Sequence, residues 1–198
     1  MNLCAWTSNN EQFQNTLPHA LRTTQRHISV LGLIWDTYNN TLTVPVPAPL
    51  DPEIQPTLHL ILQQSAKVYD ILGLWSPITI KPKILMQELH LNNYQWDTPL
   101  LANLTERWRQ IEAEFHQLGN TLILCQIADA QIFLNEKTEL HVFADASKQA
   151  YAAAVYGRIP EEDRFVTHLL FSKAKITKLT ANYTILQLEL LAAVIAAR

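Results

Sequence analysis

The chain of 198 residues is 48% hydrophobic and only 17% charged, enough to bury one ordinary core or two small ones and unlike a disordered protein. No apolar run approaches the roughly 18–20 residues that span a bilayer, and the start, MNLCAWTSNNEQ, has neither a basic leader nor an apolar stretch; the expectation is an intracellular, cytoplasmic chain with no membrane partner. A net charge of −3 argues against a freestanding nucleic-acid binder, so any such contact must be a local basic patch.

The first segment, residues 1–50, ends in a hairpin. His27 to Thr37 (HISVLGLIWDT) and Thr41 to Val46 (TLTVPV) are apolar and β-branched, and Asn39-Asn40 between them suits a tight turn. Pro45, Pro47 and Pro49 form a stiff connector, which places a boundary near residue 50. Residues 51–120 read as a helical unit. Asp51-Pro52 is expected to start a helix running through Leu58, Ile61, Leu62, Ser65, Val68, Tyr69 and Leu72 to Gly73. Pro82 is expected to open a second helix ending near Asn92-Asn93. Thr98-Pro99 is expected to cap a third, whose Leu101, Leu104, Trp108, Ile111, Phe115 and Leu118 recur every three or four residues until Gly119-Asn120. After residue 121 the period becomes that of strands: Glu139 to Asp145, Tyr151 to Arg158 and Phe165 to Ser172, with Pro160 to Asp163 as a turn, and then a helix from about Thr184 to Arg198. The fold class is α+β, a terminal hairpin, a helical unit, and an antiparallel meander with one helix.

Two carboxylates stand out. Asp145 closes an apolar strand, and Glu189 shares a helix face with Ile185, Ala192, Ala193 and Ala196, whose small side chains let that face approach a sheet. Converging carboxylates repel one another unless a divalent cation lies between them, and hard oxygen ligands suit Mg²⁺ or Mn²⁺. A pair of such metals would clamp the attacking water and the leaving oxygen of a phosphodiester. Spacing alone also fits a turn aspartate and a solvated glutamate. Lys173, Lys175 and Lys178 read as a basic loop that could grip phosphate oxygens, or as a solvated loop. Trp35, Trp96 and Trp108 are expected to pack in the core, and His141 to be a half-buried structural residue. Cys4 and Cys125, far apart and without metal-ligand spacing, are expected to be free thiols.

From Trp6 onward the chain resembles the Pol polyprotein of BEL/Pao-type LTR retrotransposons, between the reverse-transcriptase palm and RNase H. The likeness is carried in order by Trp6-Thr7-Ser8-Asn9, Val30-Leu31-Gly32-Leu33-Ile34-Trp35, Asp70-Ile71-Leu72-Gly73-Leu74-Trp75-Ser76-Pro77, Ile78 to Leu89, Trp96-Asp97, Glu139-Leu140-His141, Phe143-Ala144-Asp145-Ala146-Ser147 and Leu188-Glu189-Leu190. The resemblance implies a palm end with its hairpin (1–50), a helical thumb or connection (51–120) and a truncated RNase H-like domain (121–198). It implies that Asp145 and Glu189 are the first two acids of a site that removes RNA from an RNA:DNA hybrid with Mg²⁺ or Mn²⁺. Further acids of that site, and the polymerase aspartates, are expected outside this stretch, so the fragment is expected to lack activity alone and to bind no metal tightly. Where the family has proline and a basic residue before L-E-L, Leu186-Gln187 stands here. The family also carries an aspartic-peptidase label, to which Asp145-Ala146-Ser147 is superficially similar; the glycine of the D-[ST]-G motif is replaced. A non-catalytic nucleic-acid-holding module is the remaining alternative.

Overall fold

The computed structural model describes residues 6–23, 25–125, 136–161 and 164–198. Helices and two antiparallel sheets alternate along them, the α+β class expected from the sequence. A short helix α1 (Glu11–Thr16) is capped by Asn10, whose side chain accepts the Phe13 N–H. Strands β1 (His27–Val30), β2 (Leu33–Asp36) and β3 (Thr41–Thr43) then form a sheet in sequential order, completed by β4 (Ile123–Leu124) against β3.

The run from His27 to Thr37, expected as one strand, is two. Leu31 (φ 52°) and Gly32 (φ 84°) both adopt left-handed backbone, closing a two-residue turn that pairs Val30 with Leu33. The apolar pattern runs unbroken through the turn, so only Gly32 signals it; a side chain at Gly32 would collide with the Tyr69 ring. The second turn uses Asn40 at φ 52°, as its composition suggested. Asp36 fixes that turn by accepting the N–H groups of Tyr38 and Asn39 and forming a 2.8 Å ion pair with Arg26.

The helical unit is α2 (Leu58–Ser65), α3 (Ser76–Leu91) and α4 (Ala102–Leu118). Each start differs from expectation. Asp51-Pro52 forms a turn, and α2 begins only after Thr57, whose hydroxyl caps Leu60 N–H. It stops at Ser65, so Val68, Tyr69 and Leu72 belong to the following loop. Pro77, not Pro82, is the first-turn proline of α3; Pro82 lies buried inside the helix, where burial outweighs the lost backbone hydrogen bond. Thr98-Pro99 lies before α4, with Pro99 bridging Thr57, and Leu101 caps the helix.

Leu104, Trp108, Ile111, Phe115 and Leu118 form the buried stripe of α4, as their spacing required, while Leu101 is exposed. They pack with Leu58, Ile61, Leu85 and Leu89 of the other helices and with Leu33, Val44 and Leu50 of the first segment in one apolar cluster. Trp108 meets Phe115 edge to face in that core. Trp35 is half-buried, bonding Asn40 through its indole N–H. Trp96 departs from the core expectation: it is 50% exposed and lies edge-on to His90, because its segment is the loop after α3.

The second sheet has the order β5 (Glu139–Ala146), β6 (Ala150–Glu161), β7 (Arg164–Ile176). The meander is as expected, but Pro160 and Glu161 extend β6 instead of turning; residues 162 and 163 lie outside the described set. At the sheet edge, β5 is exposed along nearly its whole length, so its apolar residues do not mark a buried centre. His141 on it is exposed too, bonded to Glu139 at 2.9 Å. The final helix α5 (Ile185–Ala196) packs on β5 and β6, burying Leu188 and Ala192. Its start is well defined: Thr184 caps Gln187 N–H, and the Gln187 side chain returns to Thr184 N–H, a reciprocal capping box. The Thr184–Gln187 cap thus starts the helix without the proline that the resemblance would place at Leu186.

Candidate functional site

Asp145 is the penultimate residue of β5, on an exposed strand end, and its Oδ1 accepts the Ala146 N–H at 2.8 Å. The turn that follows is held by Ser147, whose hydroxyl takes the N–H groups of Gln149 and Ala150. Alternation along the strand places Asp145 with Phe143, opposite Ala152 and Ala154 of β6. These residues, with Ser172 and Ala174 of β7, face Ser76, Pro77 and Ile80 of α3 across a cavity of about 350 Å³. Glu189 is half-buried on α5, directly after the buried Leu188, and it does not line that cavity.

The three lysines are not one loop. Lys173 and Lys175 lie within β7, two residues apart and so on the same face of the strand, whereas Lys178 follows the strand in the loop before α5. The apolar residues flanking the lysines are strand residues as well, and β7 runs four residues past Ser172, where its sequence signal fades. Lys173 and Lys175 line a cavity of about 400 Å³ with Tyr151, Phe171 and Leu191, Val194, Ile195 and Arg198 of the final helix.

One further carboxylate lies near the contact between the helical unit and this sheet. Asp70 is half-buried between α2 and α3, where burial raises its carboxyl above the ordinary carboxylate range. Its Oδ2 accepts the Trp75 N–H at 3.0 Å, closing the loop that enters α3. With Lys83, Thr79, Ser172 and Lys173 it lines a third cavity of about 410 Å³. Its signal in the sequence is its place at the head of Asp70-Ile71-Leu72-Gly73, where a loop and not a helix end occurs. Cys125 is a free, exposed thiol raised above its usual range by burial of the sulfur; Cys4 lies outside the described residues.

Residues 57–198, which hold helices α2–α5 and strands β4–β7, match the family of the Pao retrotransposon-like RNaseH-like domain. The chain belongs to that family. A comparison with curated proteins finds no match. The family match agrees with the Pao-type resemblance carried by Asp70 to Pro77, Asp145 and Glu189, and with an antiparallel meander leading into a helix as the beginning of an RNase H-like fold.

In this RNaseH-like domain, Asp145 and Glu189 offer the hard carboxylate oxygens that Mg²⁺ or Mn²⁺ takes. Ligand type fits and ligand number does not: among the described residues no group of three or more His, Cys, Asp or Glu side chains is placed to hold a metal ion. Among the described residues no helix is long and apolar enough to cross a membrane.

Proposed function

We propose that this chain is part of a retrotransposon Pol polyprotein: residues 1–50 the end of a reverse-transcriptase palm, 51–120 a thumb or connection, and 121–198 the first part of an RNase H-like domain. In the parent protein this stretch holds an RNA:DNA hybrid in the cytoplasm, and Asp145 and Glu189 are two of the acids that bind Mg²⁺ or Mn²⁺ for phosphodiester hydrolysis. The family match over 57–198 supports the retrotransposon origin and the RNase H-like part of the reading. Lys178, exposed in a loop and without an ion pair among the described residues, is the best placed of the three lysines for a phosphate, with Lys173 and Lys175 behind it. On this reading two carboxylates by themselves hold a divalent cation too weakly for cleavage.

The test is filter binding of an RNA:DNA hybrid at two salt concentrations, followed by incubation with Mg²⁺. Binding that weakens steeply with salt and leaves the RNA intact is the expected result. Cleavage abolished by Asp145→Asn would show a working nuclease. Absence of any hybrid binding would remove the hybrid-holding role as well. The aspartic-peptidase reading has no supporting observation beyond the label, since Asp145 ends an antiparallel edge strand and lacks the glycine that such a site requires.

A further inference from the structure

The cavity between the C-terminal half of α5 and the β6–β7 face has two unlike walls. One is apolar: Leu191, Val194 and Ile195 of the helix, with Tyr151 and Phe171 of the sheet. The other is cationic: Lys173, Lys175 and Arg198, with no acidic residue lining the space among the described residues. Among the described residues none of these three cationic side chains has an ion pair or a hydrogen-bonding partner. The register explains the arrangement, since Tyr151 is opposite Lys175 and Ala153 opposite Lys173, so the cations and the Tyr151 ring project from one face toward α5. The small Ala153 between them leaves room for the helix, as its burial shows.

We propose that this cavity binds a small amphipathic anion, a compact negative head joined to an aromatic or aliphatic body. A volume of about 400 Å³ falls within the range of small-molecule sites, roughly 300–1,000 Å³. Neither half of the ligand suffices by itself. A bare anion would leave the apolar wall wet, and a neutral apolar molecule would lie against three unpaired cations. The head belongs on Lys173, Lys175 and Arg198, where charge-assisted hydrogen bonds are strongest, and the body lies between Tyr151, Phe171 and the helix. The carbonyl end of α5 opposes an anion, and Arg198 at that end offsets it. A nucleotide and an aliphatic carboxylate share this chemistry. Lys178 lies outside the cavity, so a variant there distinguishes this site from the hybrid contact proposed above.

The test is isothermal titration of the 198-residue chain with adenosine monophosphate, with decanoate and with inorganic phosphate. One saturable site for either of the first two is expected, the tighter of them naming the source, with inorganic phosphate at least tenfold weaker. Lys173→Ala/Lys175→Ala should weaken that binding by tenfold or more, Val194→Trp should abolish it by filling the apolar wall, and Lys178→Ala should leave it unchanged. Lys178→Ala should instead reduce hybrid binding, which separates failure of this inference from failure of the function proposed above. The inference is overturned if neither amphipathic probe binds, if phosphate alone binds as tightly, or if the double lysine variant binds as the unmodified chain does.

Discussion

Ser172 and Gly73 are in direct contact: the Ser172 hydroxyl donates to the Gly73 carbonyl, while the Ser172 N–H donates to the Leu72 carbonyl at 2.9 Å. This pair joins the helical unit to the RNase H-like sheet, and it works because Gly73 lacks a side chain. At φ 70° a Cβ would be 1.7 Å from the Ser172 carbonyl oxygen, a distance at which backbone must move. Gly73→Ala should therefore cost about 2–4 kcal/mol of stability, combining left-handed strain with overpacking. Ser172→Ala, which removes only the hydroxyl, should cost about 1 kcal/mol. Urea unfolding of both variants checks the ranking; equal, small losses would mean that the two halves are not tied at this point.

A second clamp crosses from α4 to the connector after the first sheet. Glu112 accepts the Leu50 N–H at 2.8 Å and pairs with Arg109 at 3.0 Å, while Arg109 donates to the carbonyls of Leu50, Asp51 and Ile54. Both charges are largely enclosed. Glu112→Ala leaves Arg109 without its counter-charge and the Leu50 N–H without an acceptor, and should cost about 3–5 kcal/mol. Glu112→Gln keeps one acceptor and should cost less than half as much. Thermal unfolding of the two variants tests this order.

These two clamps also mark where sequence reading stops. The α4 stripe from Leu104 to Leu118 is legible because a period of 3.6 residues records burial directly. The meander is legible for the same reason at a period of two. The Leu31-Gly32 turn is not, because apolar residues flank it on both sides and nothing polar interrupts the pattern. The helix starts expected at Asp51, Pro82 and Thr98 differ from the observed ones because a proline, with or without a cap residue before it, satisfies local rules wherever it occurs, whereas the burial of Pro56, Pro82 and Leu100 decides which turn is used. The site divides similarly. Asp145 and Glu189 were readable as residue types on named elements, yet the separation of Lys173 and Lys175 from Lys178 depends on where β7 ends, and no local signal in the lysine-rich stretch gives that end.

Two aspartates should give opposite pH dependences. The Arg26 guanidinium, aided by the Asn39 and Tyr38 N–H groups and opposed by burial, holds the Asp36 carboxyl well below the usual range. The unfolded chain therefore takes up this proton first as pH falls: stability from Asp36 is present above about pH 4 and is lost as pH drops through the folded value. Burial raises Asp70, with backbone hydrogen bonds only partly opposing it. Its folded form keeps a proton that the unfolded chain releases near pH 4, so its contribution is present below that value and declines as pH rises through the folded pKa. Melting temperatures from about pH 2 to 7 should show Asp36→Asn erasing part of the loss of stability in acid. Asp70→Asn should gain on the unmodified chain as pH rises above about 4. Parallel profiles for all three proteins would contradict both assignments.

The exposed edge of β5 is the feature most consequential for handling the chain. β5 pairs only with β6 among the described residues, and on its other side no described strand pairs with its N–H and C=O groups. Leu140 (63% exposed), Val142 and Phe143 line it with apolar surface, and no proline or lysine interrupts it. An edge with these properties is a template for pairing with another strand. Leu140 lies opposite Gly157, so replacing it removes little packing from the sheet itself. Leu140→Lys should therefore shift the chain toward monomer in light scattering and slow its aggregation on standing. The melting temperature should change by no more than a few degrees, as expected of an exposed substitution. A large fall in melting temperature would show that Leu140 is part of the fold and not only of its edge, and unchanged association would move the sticky surface to the exposed Leu186 and Leu190 of α5.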